Sequence, residues 1–198
     1  MKRVKMIAML LVLALCLQTP AFTVTTQAAT AVKSGLKKEN GKYYYYYKGK
    51  KLKNRWKSTK SGKYYFSKTG AAYAGKDYYG EEKFAIKTID GKQYGFGKDA
   101  KMLKGTQVGY SSSGYKFYVF SSKGVYNKTK SAKLNKAAKY GKSWSTLRKL
   151  LGKPSKSKTV DGCYGDGGQD YIYYYKNFTV STHKAPGASE VVWGINPR

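Results

Sequence analysis

Aromatic positions recur along this chain against a background of lysine, glycine and serine. Four aromatic cores stand out: Tyr45-Tyr46-Tyr47, Tyr64-Tyr65-Phe66, Tyr94-Gly95-Phe96 and Tyr118-Val119-Phe120. Three of them continue in register, through Ser67-Lys68-Thr69-Gly70, Gly97-Lys98-Asp99-Ala100 and Ser121-Ser122-Lys123-Gly124. Residues two apart in a strand share a face. Tyr45 and Tyr47, Tyr64 and Phe66, Tyr94 and Phe96, and Tyr118 and Phe120 therefore form one stripe, while Tyr46, Tyr65 and Val119 face the other way. Gly41-Lys42 leads into the first core and Lys48-Gly49-Lys50 turns the chain. Asp90-Gly91 carries the signature of a tight type I′ hairpin turn. Self-similarity at about 20–30 residues signals stacked units, none of which can bury its apolar face alone. The pattern predicts β-hairpin repeats over residues 41–128, with one stripe packed on the next repeat and the other facing solvent or ligand.

The pattern changes from about residue 129. Ala132 to Tyr140 has helix-forming composition. Ser143 is placed to cap a second helix, in which Trp144, Leu147 and Leu151 share a face; Gly152 ends it and Pro154 lies beyond. Strand signals follow at 171–175, 178–182 and 191–195, separated by Lys176-Asn177 and by the Ala185-Pro186-Gly187-Ala188 turn. Residues 131–198 are predicted to form a small α+β domain of two helices and an antiparallel sheet. The whole chain reads as mainly β: a β-hairpin repeat solenoid followed by that domain.

The first 28 residues read as a secretory signal. Lys2, Arg3 and Lys5 precede an apolar run from Met6 to Leu17, Pro20 breaks it, and small residues near Ala28 and Ala29 suit cleavage. The run is shorter than the roughly 20 apolar residues a membrane span needs, so no integral span is expected after cleavage. The bulky Leu15 argues against lipoprotein processing at Cys16. Residues 29–40 read as a linker. Cleavage leaves Cys163 as the only cysteine, so no internal disulfide forms and stability must come from packing. A secreted chain with no disulfide framework fits a Gram-positive surface.

Charge narrows the partner. The chain carries 39 Lys and Arg against 10 Asp and Glu, a formal net charge of +29, which falls to +26 when Lys2, Arg3 and Lys5 leave with the signal. Arg occurs only at Arg3, Arg55, Arg148 and Arg198. Lysine supplies mobile point charges rather than planar two-point recognition, which suits a polyanion held by a diffuse field. Secretion, and the lack of any nucleic-acid-binding motif, exclude nucleic acid. Outside a Gram-positive cell the remaining polyanions are teichoic acids and anionic glycans. The alternative is that lysine simply covers a solvated surface.

Catalytic chemistry is sparse. His183 is the only histidine and Cys163 the only mature thiol, and no carboxylate pair marks a glycosidase. One His and one Cys make half a zinc site. Asp161, Asp166 and Asp170 lack the spacing of a calcium loop. Neither an enzyme nor a cofactor is expected.

Two segments resemble known families. Tyr64-Tyr65-Phe66-Ser67-Lys68-Thr69-Gly70-Ala71-Ala72-Tyr73-Ala74-Gly75, and the matching run from Tyr94 to Gly105, resemble the cell-wall-binding repeats that include choline-binding and glucan-binding modules. The resemblance covers about 90 residues and implies a hairpin solenoid that attaches to a cell surface. Choline-binding members hold a quaternary ammonium in a cage of two Trp and a Tyr. At the first cage position this chain has Trp56 once, then Lys76 and Thr106. At the second it has Tyr44, Lys63, Gln93 and Phe117. The departure points to sugar stacking or an anionic polymer instead. The run Leu150-Leu151-Gly152-Lys153-Pro154, with Asp161-Gly162-Cys163-Tyr164 and Tyr173 to Val180, is similar to small domains of the β-lactamase-inhibitor and outer-membrane-assembly-lipoprotein type. That similarity implies binding to a protein partner.

The sequence thus describes a secreted, non-catalytic protein of the cell wall. Trp56, Tyr65 and Tyr46 are the expected stacking residues, and Lys48, Lys50, Lys51 and Lys63 the expected charges. The ligand is a cell-wall glycan or teichoic acid. The alternative is an adhesin or inhibitor-like module displayed on a repeat stalk.

Overall fold

The computed structural model describes residues 32–162 and 165–198. The expected signal over residues 1–28 and both cysteines, Cys16 and Cys163, lie outside the described residues. Among the described residues the fold is mainly β, with antiparallel hairpins followed by a four-stranded sheet and two helices. No helix among them is long and apolar enough to cross a membrane.

The hairpins follow one another along the chain. Strands β1 (Gly35–Glu39), β2 (Lys42–Tyr47) and β3 (Lys50–Lys51) form a three-stranded sheet. Four two-stranded units follow: β4 (Arg55–Thr59) with β5 (Gly62–Phe66), β6 (Lys76–Tyr78) with β7 (Glu81–Lys83), β8 (Ala85–Ile89) with β9 (Lys92–Phe96), and β10 (Gly105–Ser111) with β11 (Gly114–Phe120). Asp90-Gly91 makes the tight turn its sequence predicts, with φ of 49° and 72°. Three more turns share that left-handed pair: Asn40-Gly41, Lys48-Gly49 and Tyr79-Gly80.

Part of the expected linker is strand. Residues 35–39 pair with β2 from Gly35 opposite Tyr46 to Glu39 opposite Lys42. The tyrosine strand β2 would otherwise present a bare edge. Leu36 also gains a place against the core built on Tyr64 and Phe66. A polar five-residue strand with one apolar side chain gives little periodic signal by itself.

Backbone hydrogen bonds repeat from unit to unit. After each aromatic core the chain turns through equivalent bonds, Gly70 N to Ser67 O, Ala100 N to Gly97 O and Gly124 N to Ser121 O, each 2.9 Å. The returning segment then reaches an earlier hairpin. Ala72 N bonds Tyr43 O, Met102 N bonds Lys63 O and Tyr126 N bonds Gln93 O, each at 2.8 Å. Tyr43, Lys63 and Gln93 are thus equivalent positions, which aligns Tyr46, and not Tyr47, with Phe66 and Phe96.

Burial follows the predicted stripe in the later units. Tyr64, Phe66, Phe96 and Phe120 are buried. Tyr64 and Phe66 form a cluster with Ala100, covered by Tyr43 and Tyr45 from the first sheet. Ile89, Phe96 and Met102 form the next, covered by Trp56, Tyr65 and Tyr73. The first unit departs from the expectation: Tyr46 is buried and Tyr47 is 62% exposed.

The C-terminal part holds α1 (Lys128–Ala137), α2 (Trp144–Leu151), and the antiparallel sheet β12 (Lys156–Asp161), β13 (Gln169–Tyr174), β14 (Phe178–Lys184) and β15 (Val191–Pro197), in that order. Helix α1 starts earlier than its composition suggests because the Asn127 side chain accepts from Lys130 N at 2.8 Å, capping an otherwise open end. Helix α2 has the expected bounds, ending at Gly152 with φ of 82°. Ser143 occupies the cap position but its hydroxyl bonds Ser145 instead of the backbone.

One core runs through the expected boundary at residues 128–131. Val108 and Phe117 of the last hairpin are buried with Leu134, Trp144, Leu147, Phe178 and Val192. Asn135 accepts from Phe117 N at 2.8 Å and donates to Phe117 O at 3.0 Å, completing a strand's hydrogen bonding from a helix side chain. Ser131 adds a bond from Val119 N at 2.9 Å. By packing, hairpin β10–β11 belongs with the helices as much as with the hairpins before it.

Candidate binding surface

Trp56 lies opposite Tyr65 in the β4–β5 register. Its ring meets Tyr65 edge-on at 5.1 Å and Tyr94 edge-on at 4.8 Å, and stacks on Phe96 at 6.0 Å. Tyr94 and Phe96 belong to β9, so Trp56 joins two hairpins. Tyr73 extends the group by stacking on Tyr65 at 5.6 Å. The exposed side of Trp56 is taken by this chain's own Lys63, whose Nζ stands 4.6 Å from the ring centre. The structure therefore brings Trp56, Tyr65 and Lys63 together, all half-buried.

The remaining expected site residues sit on the first sheet. Lys51 Nζ lies 3.7 Å from the Tyr44 ring centre and 5.7 Å from that of Tyr46. Lys48 lies over Tyr47 at 5.7 Å, and Lys50 is exposed beside it. Tyr46 does not present an open ring. It is 5% exposed, and its hydroxyl donates to both oxygens of Glu39, at 3.0 and 2.9 Å. Strand β1 supplies that carboxylate, and the sequence pattern had no place for β1. Hydrogen bonds from Lys33 and then from Tyr46 hold the Glu39 carboxyl below the usual carboxylate range.

Sequence reasoning missed a third aromatic group, on hairpin β6–β7. Tyr79 is 91% and Tyr78 51% exposed. Their rings meet edge-on at 4.8 Å, and Tyr78 stacks on Tyr110 of β10 at 5.8 Å. A cleft of about 240 Å³ opens beside them, lined by Tyr78, Lys83, Tyr110, Ser111 and Ser112. The hairpin is firmly seated. Glu81 accepts from the Tyr115 hydroxyl, and that bond, followed by burial, pushes the Tyr115 pKa up to about 12. Phe84 lies against Gly109, where a methyl group would come within 2.6 Å of its ring.

Tyr79 is an unusual residue for its position. It takes φ of 52° in the turn, where the equivalent residues are Asn40 (47°), Lys48 (46°) and Asp90 (49°). Asn and Asp tolerate this region through local side-chain hydrogen bonds, whereas a bulky side chain there costs about 1–2 kcal/mol. A ring so exposed recovers little of that cost by burial. The available signal in the sequence was the Tyr-Tyr-Gly run at 78–80, which breaks the spacing of the four aromatic cores.

A polar cluster closes the far sheet. His183 Nδ1 lies 2.6 Å from Asp170 and its Nε2 lies 2.9 Å from Asp166, while its ring stacks on Trp193 at 4.6 Å. An imidazole can donate from both nitrogens only when protonated. The hydrogen bond to Asp170, and then the one to Asp166, raise the His183 pKa above its usual value even though desolvation opposes them. Among the described residues no group of three His, Cys, Asp or Glu side chains could hold a metal ion.

No protein-family model matches the chain, and no curated protein does. Several solved structures show partial likeness. The modular Cpl-1 endolysin, complexed with a peptidoglycan analogue, is 11% identical with a TM-score of 0.38, over 75% of this chain and 34% of its own. Choline binding protein F from Streptococcus pneumoniae is 20% identical with a TM-score of 0.20, over 48% of this chain and 42% of its own. CbpJ from Streptococcus pneumoniae TIGR4 is 13% identical with a TM-score of 0.21, over 73% of this chain and 41% of its own. The chain thus spans about a third of the endolysin and about two fifths of the other two. Likeness of this degree carries no argument about function.

Proposed function

We propose that this chain is a secreted, non-catalytic protein that attaches to a cell-wall polymer through its hairpin series, read as a solenoid over residues 41–128. The observation that carries the reading is the repeated placement of lysine ammonium groups on aromatic rings. Lys51 on Tyr44, Lys57 on Tyr45, Lys63 on Trp56 and Lys87 on Tyr73 span 3.7 to 5.6 Å to the ring centres. Each pair offers an anionic glycan or a teichoic acid a stacking face and a counter-charge at one spot. Individually such contacts are weak, but several along one polymer act together.

An external cation fits this surface poorly. At Trp56 it would meet an ammonium group already in place, and like charges repel. The lysines can instead turn from their rings to an anion, releasing its counterions. Within this reading Trp56, Tyr65 and Lys63 form one contact, and Lys48, Lys50 and Lys51 another. Tyr46 supports the second from beneath through Glu39. Residues 131–198 are read as the part that meets a protein partner.

The test is sedimentation of the protein with purified Gram-positive walls, before and after teichoic acid extraction, at low and moderate salt. Binding that falls steeply with salt and drops on extraction supports the reading. A protein that stays in the supernatant at low salt rejects it. Binding indifferent to salt and extraction removes the anionic polymer as ligand.

A further inference from the structure

We propose that the shelf formed by Tyr78, Tyr79 and Tyr110 is a separate subsite for a neutral pyranose, distinct in chemistry from the lysine-rich hairpins. The choice of a sugar rests on the wall-attachment reading; the choice of a neutral one rests on the charges around the shelf.

Those charges cancel. Hairpin β6–β7 carries Lys76 and Lys83 with Asp77, Glu81 and Glu82, and Lys98 adds a third base beside Asp77, so bases and acids are equal in number here in a chain that elsewhere holds a large excess of bases. All three carboxylates are engaged within the protein. Asp77 accepts from Gly80 N at 2.9 Å and lies 3.9 Å from Lys98 Nζ. Glu82 accepts from Lys98 N at 2.5 Å, and Glu81 holds Tyr115. A phosphodiester arriving here gains no net field, and it loses part of its hydration. A neutral sugar loses far less. Its C–H face meets the electron-rich face of an aromatic ring, which bears the negative part of the ring quadrupole. Lys83, Ser111 and Ser112 border the cleft and supply polar partners for its hydroxyls.

The shelf is also held ready. Glu81 ties the hairpin to Tyr115, and Tyr78 is braced on Tyr110, so little order has to be imposed on binding. Tyr79 keeps a backbone conformation that Asn or Asp would adopt with less strain, and it holds the most exposed aromatic ring described. Both facts follow if the ring itself is what the position requires.

The test measures binding of a neutral N-acetylglucosamine tetrasaccharide to the full protein by saturation-transfer NMR and calorimetry, at low and high salt. Tyr79→Asn suits the turn, so it should keep or raise Tm while weakening the tetrasaccharide about tenfold, the equivalent of 1.4 kcal/mol. Tyr78→Thr should weaken it similarly, and salt should change neither result. Low-salt sedimentation with walls should survive both substitutions. The proposal is overturned if the wild-type protein does not bind the tetrasaccharide, if both variants bind it as well as wild type does, or if high salt abolishes binding. Any of these outcomes leaves the wall-attachment reading standing, because that reading is judged by sedimentation of the wild-type protein alone.

Discussion

Gly95 lies directly beneath the Phe120 ring: a methyl group on Gly95 would stand 2.3 Å from Phe120 Cζ. Both residues belong to the repeating aromatic cores, and the missing side chain of one unit is the seat for the ring of another. The Tyr-Gly-Phe core is therefore no weakened copy of Tyr-Tyr-Phe. Its glycine is what allows Phe120 to be buried.

Gly95→Ala should destabilise the protein by about 1–3 kcal/mol, the usual range for overfilling a packed site. Urea denaturation measures it. Gly194→Ala is the control, since a methyl group there meets nothing within 4 Å and φ is not in the left-handed region. Equal midpoints for the two variants would contradict the packing described.

Trp56 joins β4–β5 to β8–β9 through Tyr94 and Phe96. Trp56→Ala should cost about 2–3 kcal/mol, less than for a fully buried ring because one face carries only Lys63. The loss should appear in the near-ultraviolet circular dichroism of the neighbouring tyrosines as well as in the denaturation midpoint. A midpoint unchanged from wild type would show that the hairpins do not depend on this joint.

Asn135 satisfies both backbone groups of Phe117 from α1. Asn135→Ala leaves the pair without partners, and about 1–3 kcal/mol should be lost. Hydrogen exchange at the Phe117 amide should accelerate more than exchange at Tyr65, which lies in another hairpin. Uniform acceleration would mean that the effect is global rather than local to the α1–β11 contact.

His183 gives a pH dependence with a definite sign. Its pKa is raised, first by Asp170 and then by Asp166, so its stabilising contribution is full below the ordinary histidine value and fades as pH rises through the raised one. Asp166 is lowered, first by the Gly168 amide and then by His183, so its contribution is present above the ordinary carboxylate value and fades as pH falls through the lowered one. The difference in Tm between wild type and Asp166→Asn should peak between these limits and shrink on either side. A difference that does not vary with pH would show that the pair is not ionised as described.

The alternation of tyrosine with lysine and glycine was enough to specify hairpins and, after the first unit, the buried stripe at Tyr64, Phe66, Phe96 and Phe120. Those features depend on contacts within a unit and between equivalent positions, which a repeat writes into the sequence each time. Helix α2 was legible for a similar reason, since Trp144, Leu147 and Leu151 carry its face and Gly152 its end. Strands β1 and β12 were not, because both are mostly polar and gain their place from a partner strand. Tyr46 takes the buried face because it, and not Tyr47, stands at the position of Phe66 and Phe96, a one-residue offset that the unbroken Tyr43–Tyr47 run conceals. The Tyr78–Tyr110 shelf joins residues from two hairpins, and its accessibility depends on how β7 is seated against β10. The chain's own pattern settled which residues form strands. Only the folded protein decided which rings remain open, because exposure is a property of neighbours brought together from distant positions.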